Sequence, residues 1–129
     1  MRVAVVTESF LPNINGVTNS VLRVLEHLSA SGDQALVIAP ASENMPTEYA
    51  DHPVKAVPVI PTQNFLPTGM PMGLPQKRIQ HLLDGFSPDV IHLASPFALG
   101  SYANKMAKKL DIPTVSIYQT DLGGFAKQY

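Results

Sequence analysis

Two loops in this sequence carry residues that could do chemistry beside the end of a predicted strand. In the first, Glu8–Gly16 (ESFLPNING) follows a short apolar run and leads directly into a helical pattern that begins at Val17. A glycine at the start of a helix lets backbone N–H groups approach an anion, and the helix dipole favours negative charge there. Asn-Gly is also a common turn former. The residues alone therefore leave a phosphate-binding site and a plain turn equally open.

The second loop offers an amide, a hydroxyl and a carboxylate in succession. Gln119, Thr120 and Asp121 follow Tyr118, which ends a β-branched run. In this position Asp121 could orient a sugar hydroxyl or polarise an acceptor, but Asp is also a preferred N-cap of a following helix, and Thr120 is open to the same alternative. Ser95 likewise follows the apolar run Val90–Ala94 and is a third candidate, although Ser95-Pro96 is also typical of a plain turn.

Composition and charge exclude several classes of protein. The 129 residues contain no cysteine, which excludes a disulfide framework, a zinc cluster built on cysteines and a thiol nucleophile. Nine Lys and Arg against ten Asp and Glu give a formal charge of −1, which argues against a nucleic-acid-binding protein. The sequence contains neither a G-x-G-x-x-G fingerprint nor a P-loop, which disfavours a nicotinamide-dependent dehydrogenase.

The four histidines do not have the spacing of metal ligands. His27, His52, His81 and His92 are scattered along the chain, so we expect no metal site. We expect His27 to be partly buried on a helix face, His81 to be exposed, and His92 to be a core residue of a strand. No Ser-His-Asp grouping can be argued from the sequence.

Short apolar runs alternate with segments of helical period. The runs lack polar alternation, which is typical of parallel strands buried on both faces; they are Val3–Thr7, Ala35–Ala39, Ala56–Ile60, Val90–Ala94 and Thr114–Tyr118. Apolar stripes predict helices from Val17 to a stop at Gly32, from Pro75 through Phe86, and from Leu99 through Leu110. This order predicts an α/β, Rossmann-like, three-layer domain with a mostly parallel sheet in strand order 3-2-1-4-5. Ligands of such sheets bind at the carboxyl ends of the strands, where both loops lie.

Proline is concentrated in one part of the chain. Eight of the twelve prolines fall within residues 40–75, and Pro58 predicts that the third strand is an edge strand. Pro61–Gly73 is predicted to be a long functional loop, because it is too apolar for a solvated tether. Lys77, Arg78 and His81 flank the apolar stripe that follows. Such a basic amphipathic element suits an anionic membrane surface, although an ordinary half-exposed helix has the same pattern.

Three segments together resemble the glycosyltransferases of family 4, which are retaining enzymes with the GT-B fold. The N-terminal run Arg2–Val17 is similar to the first strand, loop and Asn-Gly-Val turn of that family. The run Ser87–Phe97 resembles its fourth-strand segment, and Ile117–Ala126 resembles its fifth-strand loop. The resemblance covers essentially the whole chain. It is closest to the subgroup that transfers mannose from GDP-mannose in the synthesis of glycolipids.

The resemblance implies roles for particular residues. It implies that the turn at Asn15, Gly16 and Val17 faces the donor diphosphate. Gln119 stands where many members have a histidine, and glutamine can only position a sugar or acceptor by hydrogen bonds. With Asp121 it forms the implied catalytic pair, and the implied contacts to substrate or acceptor are Ser95, Tyr118, Thr120 and Phe65. No cofactor and no obligate metal are implied, since retention in the family is assigned to donor-assisted front-face attack.

These implications define the expected protein. Residues 1–129 are expected to be the N-terminal, acceptor-side domain of a GT-B enzyme, truncated and inactive without the nucleotide-sugar domain. The expected partners are a nucleotide sugar and a lipid or glycolipid acceptor, and the expected location is cytoplasmic, at the inner face of the plasma membrane. The alternative is a stand-alone Rossmann-like domain that binds an anion or nucleotide and catalyses nothing. A sugar-nucleotide epimerase or dehydrogenase half is a weaker option because the glycine fingerprint is missing.

Overall fold

The computed structural model describes residues 1–57, 59–60, 72–73, 77–94 and 98–116. Strands and helices alternate along most of this chain, as the sequence predicts. In order they are β1 (Arg2–Val6), α1 (Gly16–Ala30), β2 (Gln34–Pro40), β3 (Glu48–Tyr49), β4 (His52–Val57), β5 (Val59–Ile60), β6 (Met72–Gly73), α2 (Lys77–Phe86), β7 (Val90–Leu93), α3 (Ala98–Leu110) and β8 (Thr114–Ser116).

The main sheet has the order β3-β4-β2-β1-β7-β8 and is parallel except at the β3–β4 pair. Its five parallel strands therefore confirm the predicted order 3-2-1-4-5. In the registers of β1, Val3 lies opposite Ala35 of β2 on one side and opposite Val90 of β7 on the other. The sheet thus grows in opposite directions from β1, which makes the carboxyl end of β1 the topological switch point.

Alternate residues of the central strands enter two separate cores. Val3 and Val5 pack on the face covered by α1, with Val21 and Leu25 of that helix. Ala4 and Val6 pack on the opposite face, which is covered by α2 and α3 through residues such as Leu83 and Met106. Because both faces of β1 are buried, the strands read as apolar runs without alternation. The three-layer α/β/α architecture is confirmed.

The third parallel strand begins earlier than the sequence predicts. It is β4, His52–Val57, rather than Ala56–Ile60. It pairs with β2 on one side and with the short β3 on the other, so the prediction that the third strand is an edge strand was wrong. The residues Ala50 and Asp51 both have positive φ, 50° and 68°, as the two central residues of a tight hairpin turn require. No Asn-Gly or Asp-Gly pair marks this turn in the sequence, so its β3 strand was not predicted.

The predicted long loop Pro61–Gly73 also needs correction at its end. Met72–Gly73 forms β6, which pairs antiparallel with β5 in a separate two-stranded sheet. The segment Val59–Ile60, predicted as the end of the third strand, belongs to this second sheet instead. Helix bounds follow the predicted stripes, and Gly32, which follows the C-cap Ser31 of α1, has φ +78°, which suits a helix stop. Pro75, the predicted start of the second helix, lies outside the described residues.

The histidines occupy four different environments. The expectation for His27 was wrong, because it is exposed near the end of α1, whereas His81 is exposed as expected. His92 is buried in β7, and burial lowers the pKa of its imidazole and so favours the neutral ring. His52 is also buried: the Ala35 N–H donates to its Nδ1 at 3.2 Å, so its Nε2 carries the proton and donates to the Leu25 carbonyl at 3.1 Å.

Tyr49 of β3 joins the edge of the sheet to α1. Its ring packs edge-on against Phe10, with the ring centroids 6.5 Å apart. Its hydroxyl donates a hydrogen bond to the Glu26 carboxylate on α1, and Glu26 also pairs with Arg23 at 3.2 Å. The hydrogen bond to Glu26, with burial and the negative charge of Glu26, raises the pKa of Tyr49 above its usual value near 10. The short β3 strand therefore secures α1 through one side chain.

We predict that Tyr49→Phe lowers the free energy of unfolding by about 1 kcal/mol at pH 7, because one hydrogen bond is lost while the ring contact remains. The raised pKa means that the folded state favours the protonated phenol. This contribution is complete below about pH 10 and is lost as the pH rises through the raised pKa. Urea unfolding at pH 7 to 11 measures it. An equal difference between wild type and variant across that range would contradict the assignment.

Candidate functional site

The loop from Thr7 to Asn15 connects the carboxyl end of β1 to α1 at the switch point of the sheet. Its base is fixed by the sheet: the Thr7 N–H donates to the Ile38 carbonyl at 3.0 Å, and the Ala94 N–H donates to the Val6 carbonyl at 2.9 Å. Phe10 is buried in the core that packs against α1, whereas residues 12–16 at the far end of the loop are exposed. The start of α1 is thus held at the crevice where Rossmann-like sheets bind ligands.

Asn15 is the N-cap of α1. Its backbone is extended, with φ −153° and ψ −175°, and its Oδ1 accepts a hydrogen bond from the Thr18 N–H at 2.9 Å. The Asn19 N–H donates to the Asn15 carbonyl at 2.9 Å and begins the helical ladder. The N–H groups of Gly16 and Val17 precede this ladder and have no acceptor within the helix. They are the groups that an anion at this helix end would meet.

Gly16 leaves open space at the start of the helix. It is exposed, and apart from its chain neighbours and the backbone of its own helix, no described heavy atom lies within 4 Å of a Cβ placed on it. Its φ is not in the left-handed region, so the backbone itself does not require glycine here. The glycine keeps the surface beside the first N–H groups of α1 free of side-chain atoms, as close approach of a ligand requires.

Four polar side chains connect β1 to the helix start. Thr7 Oγ1 donates to the Ser9 carbonyl at 2.7 Å, and the Ser9 N–H donates back to Thr7 Oγ1 at 3.2 Å. Ser9 Oγ in turn accepts from Asn15 Nδ2 at 2.7 Å and lies 3.1 Å from Thr18 Oγ1. Thr7 and Thr18 are fully buried. We call the set Thr7, Ser9, Asn15 and Thr18 the loop hydrogen-bond network.

The first turn of α1 supplies no charged side chain that would attract or repel an anion, since it contains no acidic residue and no basic one. A helix N-terminus alone stabilises a nearby negative charge by about 0.3–1 kcal/mol when exposed. Within the described ranges, no three His, Asp or Glu side chains lie together as metal ligands would.

A cavity of about 480 Å³ opens at the opposite edge of the sheet, beside the amino ends of β1, β2 and β4. Two of its charged groups already have partners: Arg2 Nε donates to the Phe86 carbonyl at 2.8 Å, and Asp33 pairs with the N-terminal ammonium at 2.9 Å. The Arg2 guanidinium also lies 4.3 Å from the centroid of the Phe86 ring. These contacts are structural, so the candidate site is the loop at the carboxyl edge.

Of the residues predicted for the site, the described structure brings together Asn15, Gly16 and Val17. The Oδ1 atom of Asn15 is taken by the helix cap, which leaves the N–H groups of Gly16 and Val17 as the donors for an anion. The other predicted site residues lie outside the described side chains: Phe65, Ser95, Tyr118, Gln119, Thr120 and Asp121. Sequence reasoning missed Ser9 and Thr18. The spacing of Asn15 and Thr18, an N-cap residue and the residue three positions later, was the available signal for the cap.

The fold and this loop define a Rossmann-like domain whose first helix begins at an exposed, open position. Comparison with known families identifies the family to which the domain belongs. The model of Glycosyltransferase Family 4 matches residues 14–128. The chain therefore belongs to glycosyltransferase family 4, as the sequence motifs indicate. No helix in the described part of the chain is long and apolar enough to cross a bilayer.

Two curated relatives are informative. The chain is 50% identical to a GDP-mannose-dependent alpha-mannosyltransferase of Corynebacterium glutamicum, over the whole chain and 32% of the relative. It is 33% identical to the alpha-monoglucosyldiacylglycerol synthase of Acholeplasma laidlawii, over 93% of the chain and 30% of that relative. The chain thus spans about a third of the length of the curated relatives it matches.

Solved structures share the fold at low sequence identity. The C-terminal domain of a Pyrococcus furiosus hydrogenase superposes with a TM-score of 0.60 at 16% identity, over 89% of each chain. MurG of Acinetobacter baumannii superposes with a TM-score of 0.56 at 14% identity, over 89% of this chain and 34% of MurG. These likenesses confirm the Rossmann-like fold class.

We predict that Asn15→Ala lowers the free energy of unfolding by about 0.5–2 kcal/mol, because the Thr18 N–H loses its capping partner. Asn13→Ala is the matched control: it removes the same side chain from an exposed position of the same loop. Urea denaturation of both variants measures the difference. Equal stability of the two variants would contradict the capping role.

Proposed function

We propose that this chain is the acceptor-side half of a retaining mannosyltransferase that transfers mannose from GDP-mannose to a glycolipid or lipid-linked acceptor. The observation that carries the proposal is the helix start at Gly16, open to a ligand and located at the switch point of a family 4 domain. Its N–H groups would bind the donor diphosphate from one side of the cleft. The mannosyltransferase relative supports GDP-mannose as the donor.

A single helix N-terminus binds an anion too weakly to hold the donor alone, which supports a binding cleft formed by two domains. The first turn of α1 has no basic side chain, so the N–H groups and the helix dipole must bind the diphosphate unaided by a cation of that turn. This contribution, about 1 kcal/mol, is far below the roughly 8 kcal/mol that a micromolar donor complex needs. We therefore propose that the nucleotide is held mainly by a second domain, and that residues 1–129 alone transfer no sugar.

The remaining roles follow from the family resemblance. We propose that Gln119 and Asp121 position the donor sugar and the acceptor hydroxyl, with Ser95, Tyr118, Thr120 and Phe65 on the acceptor side. We also propose that no cofactor and no obligate metal take part, so that transfer persists in EDTA. Retention then follows from attack of the acceptor on the same face of the sugar that the diphosphate leaves.

A lipid acceptor requires the enzyme to work at a membrane. One relative is a synthase of a glucosyldiacylglycerol, which supports an acceptor with acyl chains. On α2, Arg78 and His81 are exposed, and such basic residues favour an anionic lipid surface. We propose that the enzyme lies peripherally on the cytoplasmic face of the plasma membrane and takes its acceptor from there.

The full-length protein tests the proposal in one assay. Purified enzyme is incubated with GDP-mannose, UDP-glucose or UDP-galactose and with acceptor lipid in anionic vesicles, with and without EDTA. We expect mannose transfer from GDP-mannose in both conditions, with an α-anomeric product by NMR. No transfer by residues 1–129 alone is also expected. A β-linked product would contradict retention, and transfer from the uridine donors only would contradict the assigned donor.

We predict that Gly16→Val in the full-length enzyme reduces kcat/KM for GDP-mannose at least 100-fold, because the added side chain occupies the approach of the diphosphate. The fold should tolerate the change, since the new Cβ meets no described atom within 4 Å beyond its chain neighbours and the backbone of its own helix. Gly85→Val is the matched control, because Gly85 is an exposed helical glycine of α2 with equally open surroundings. Steady-state kinetics and thermal unfolding measure both variants. Wild-type kinetics in Gly16→Val would refute the diphosphate role.

A further inference from the structure

We propose that Ser9 is a positioning residue for donor binding, acting through Asn15 on the N–H groups of Gly16 and Val17. The proposal rests on the proposed function of the Gly16 turn. It goes beyond that function because it assigns the geometry of the turn to a residue that precedes it by seven positions. The proposal is based on the contacts of one hydroxyl, Ser9 Oγ, with the cap residue Asn15 and with Thr18 in the first turn of α1.

The backbone of Ser9 is fixed to the end of β1. Its N–H and its carbonyl both hydrogen-bond the same hydroxyl, Thr7 Oγ1, at 3.2 and 2.7 Å. Thr7 is fully buried, and its own N–H is paired with the Ile38 carbonyl of β2. The position of Ser9 is therefore set by the sheet rather than by the exposed part of the loop.

The side chain of Ser9 transmits that position to the helix start. Asn15 Nδ2 donates to Ser9 Oγ at 2.7 Å, which fixes the plane of the Asn15 amide. The same amide presents its Oδ1 to the Thr18 N–H at 2.9 Å. Because one amide makes both contacts, the bond to Ser9 orients Oδ1 of Asn15 toward the Thr18 N–H rather than toward another N–H group of the first turn. Thr18 is satisfied by the cap, and Gly16 and Val17 remain available to the diphosphate.

Besides the contact between Ser9 and Asn15, the loop is held by the Asn13 N–H, which donates to the Phe10 carbonyl at 3.0 Å, and by Leu11, which packs against the core. Residues 12–16 are exposed, and Ile14 keeps 73% of its surface accessible although it is apolar. The contact between Ser9 and Asn15 closes the intervening residues into a compact loop. Without it the cap amide can rotate, and the helix start must be ordered again each time the donor binds, which weakens binding.

The test is Ser9→Ala in the full-length enzyme, assayed with GDP-mannose. We expect the KM for GDP-mannose and the Kd for GDP to rise about 3- to 10-fold, with kcat within twofold of wild type, corresponding to loss of about one hydrogen bond of positioning. Ser9→Thr restores the hydroxyl and should bring both constants back toward wild type. Unchanged KM and Kd in Ser9→Ala would overturn the proposal.

Two comparisons separate positioning from simple loss of stability and from direct contact with the donor. Tyr49→Phe removes another hydroxyl that binds α1, far from the helix start, and should leave the KM unchanged. If Ser9 acts through Asn15, the effects of Ser9→Ala and Asn15→Ala on Kd are strongly non-additive. Additive effects, or an equal rise of KM in Tyr49→Phe, would overturn the proposal.

The remaining outcomes are also decisive. If Ser9→Ala does not fold, Asn15→Ser removes the Nδ2 donor to Ser9 while keeping a side-chain oxygen that can cap the helix, and a rise of KM is again expected. Wild-type kinetics in a folded Asn15→Ser enzyme would then count against the proposal. The Gly16→Val enzyme shows which idea has failed. Normal turnover there refutes the diphosphate site itself, whereas loss of turnover there with normal Ser9→Ala kinetics refutes only the role of Ser9.

Discussion

Burial of β1 on both of its faces is the constraint on which the rest of the structure depends. Val3 and Val5 enter the core beneath α1, and Ala4 and Val6 enter the core beneath α2 and α3. A strand packed in this way cannot slip by one residue without exchanging its two faces. Its carboxyl end is therefore fixed, and with it Thr7, which is the point of attachment of the candidate site.

From that fixed point the site is built by short polar contacts rather than by a glycine-rich fingerprint. The loop hydrogen-bond network links Thr7 through Ser9 to the cap residue Asn15. Asn15 caps the Thr18 N–H, and the N–H groups of Gly16 and Val17 are left without an acceptor in the helix. A Rossmann-like sheet thus retains an anion-accessible helix start although the G-x-G-x-x-G sequence is missing. The chain belongs to glycosyltransferase family 4, and we propose that this helix start serves sugar transfer in the full-length protein.

Local sequence signals predicted the parallel core and the helix start because both depend on neighbouring residues. Apolar runs marked four of the five parallel strands closely, and Asn15-Gly16 before an apolar stripe marked the start of α1. The β3–β4 hairpin was missed because its turn uses Ala50 and Asp51 at positive φ, which no residue pattern announces. Ser9 was missed because its role depends on contacts with residues six and nine positions later, across a loop of irregular path.

We propose above all that the N–H groups at Gly16 and Val17 face the donor diphosphate. An experimental structure of the full-length protein with GDP tests it most directly. We predict a phosphate oxygen within about 3.2 Å of the backbone nitrogen of Gly16 or Val17, with Ser9 Oγ still bound to Asn15. A diphosphate held elsewhere in the cleft, with both N–H groups facing water, would contradict it.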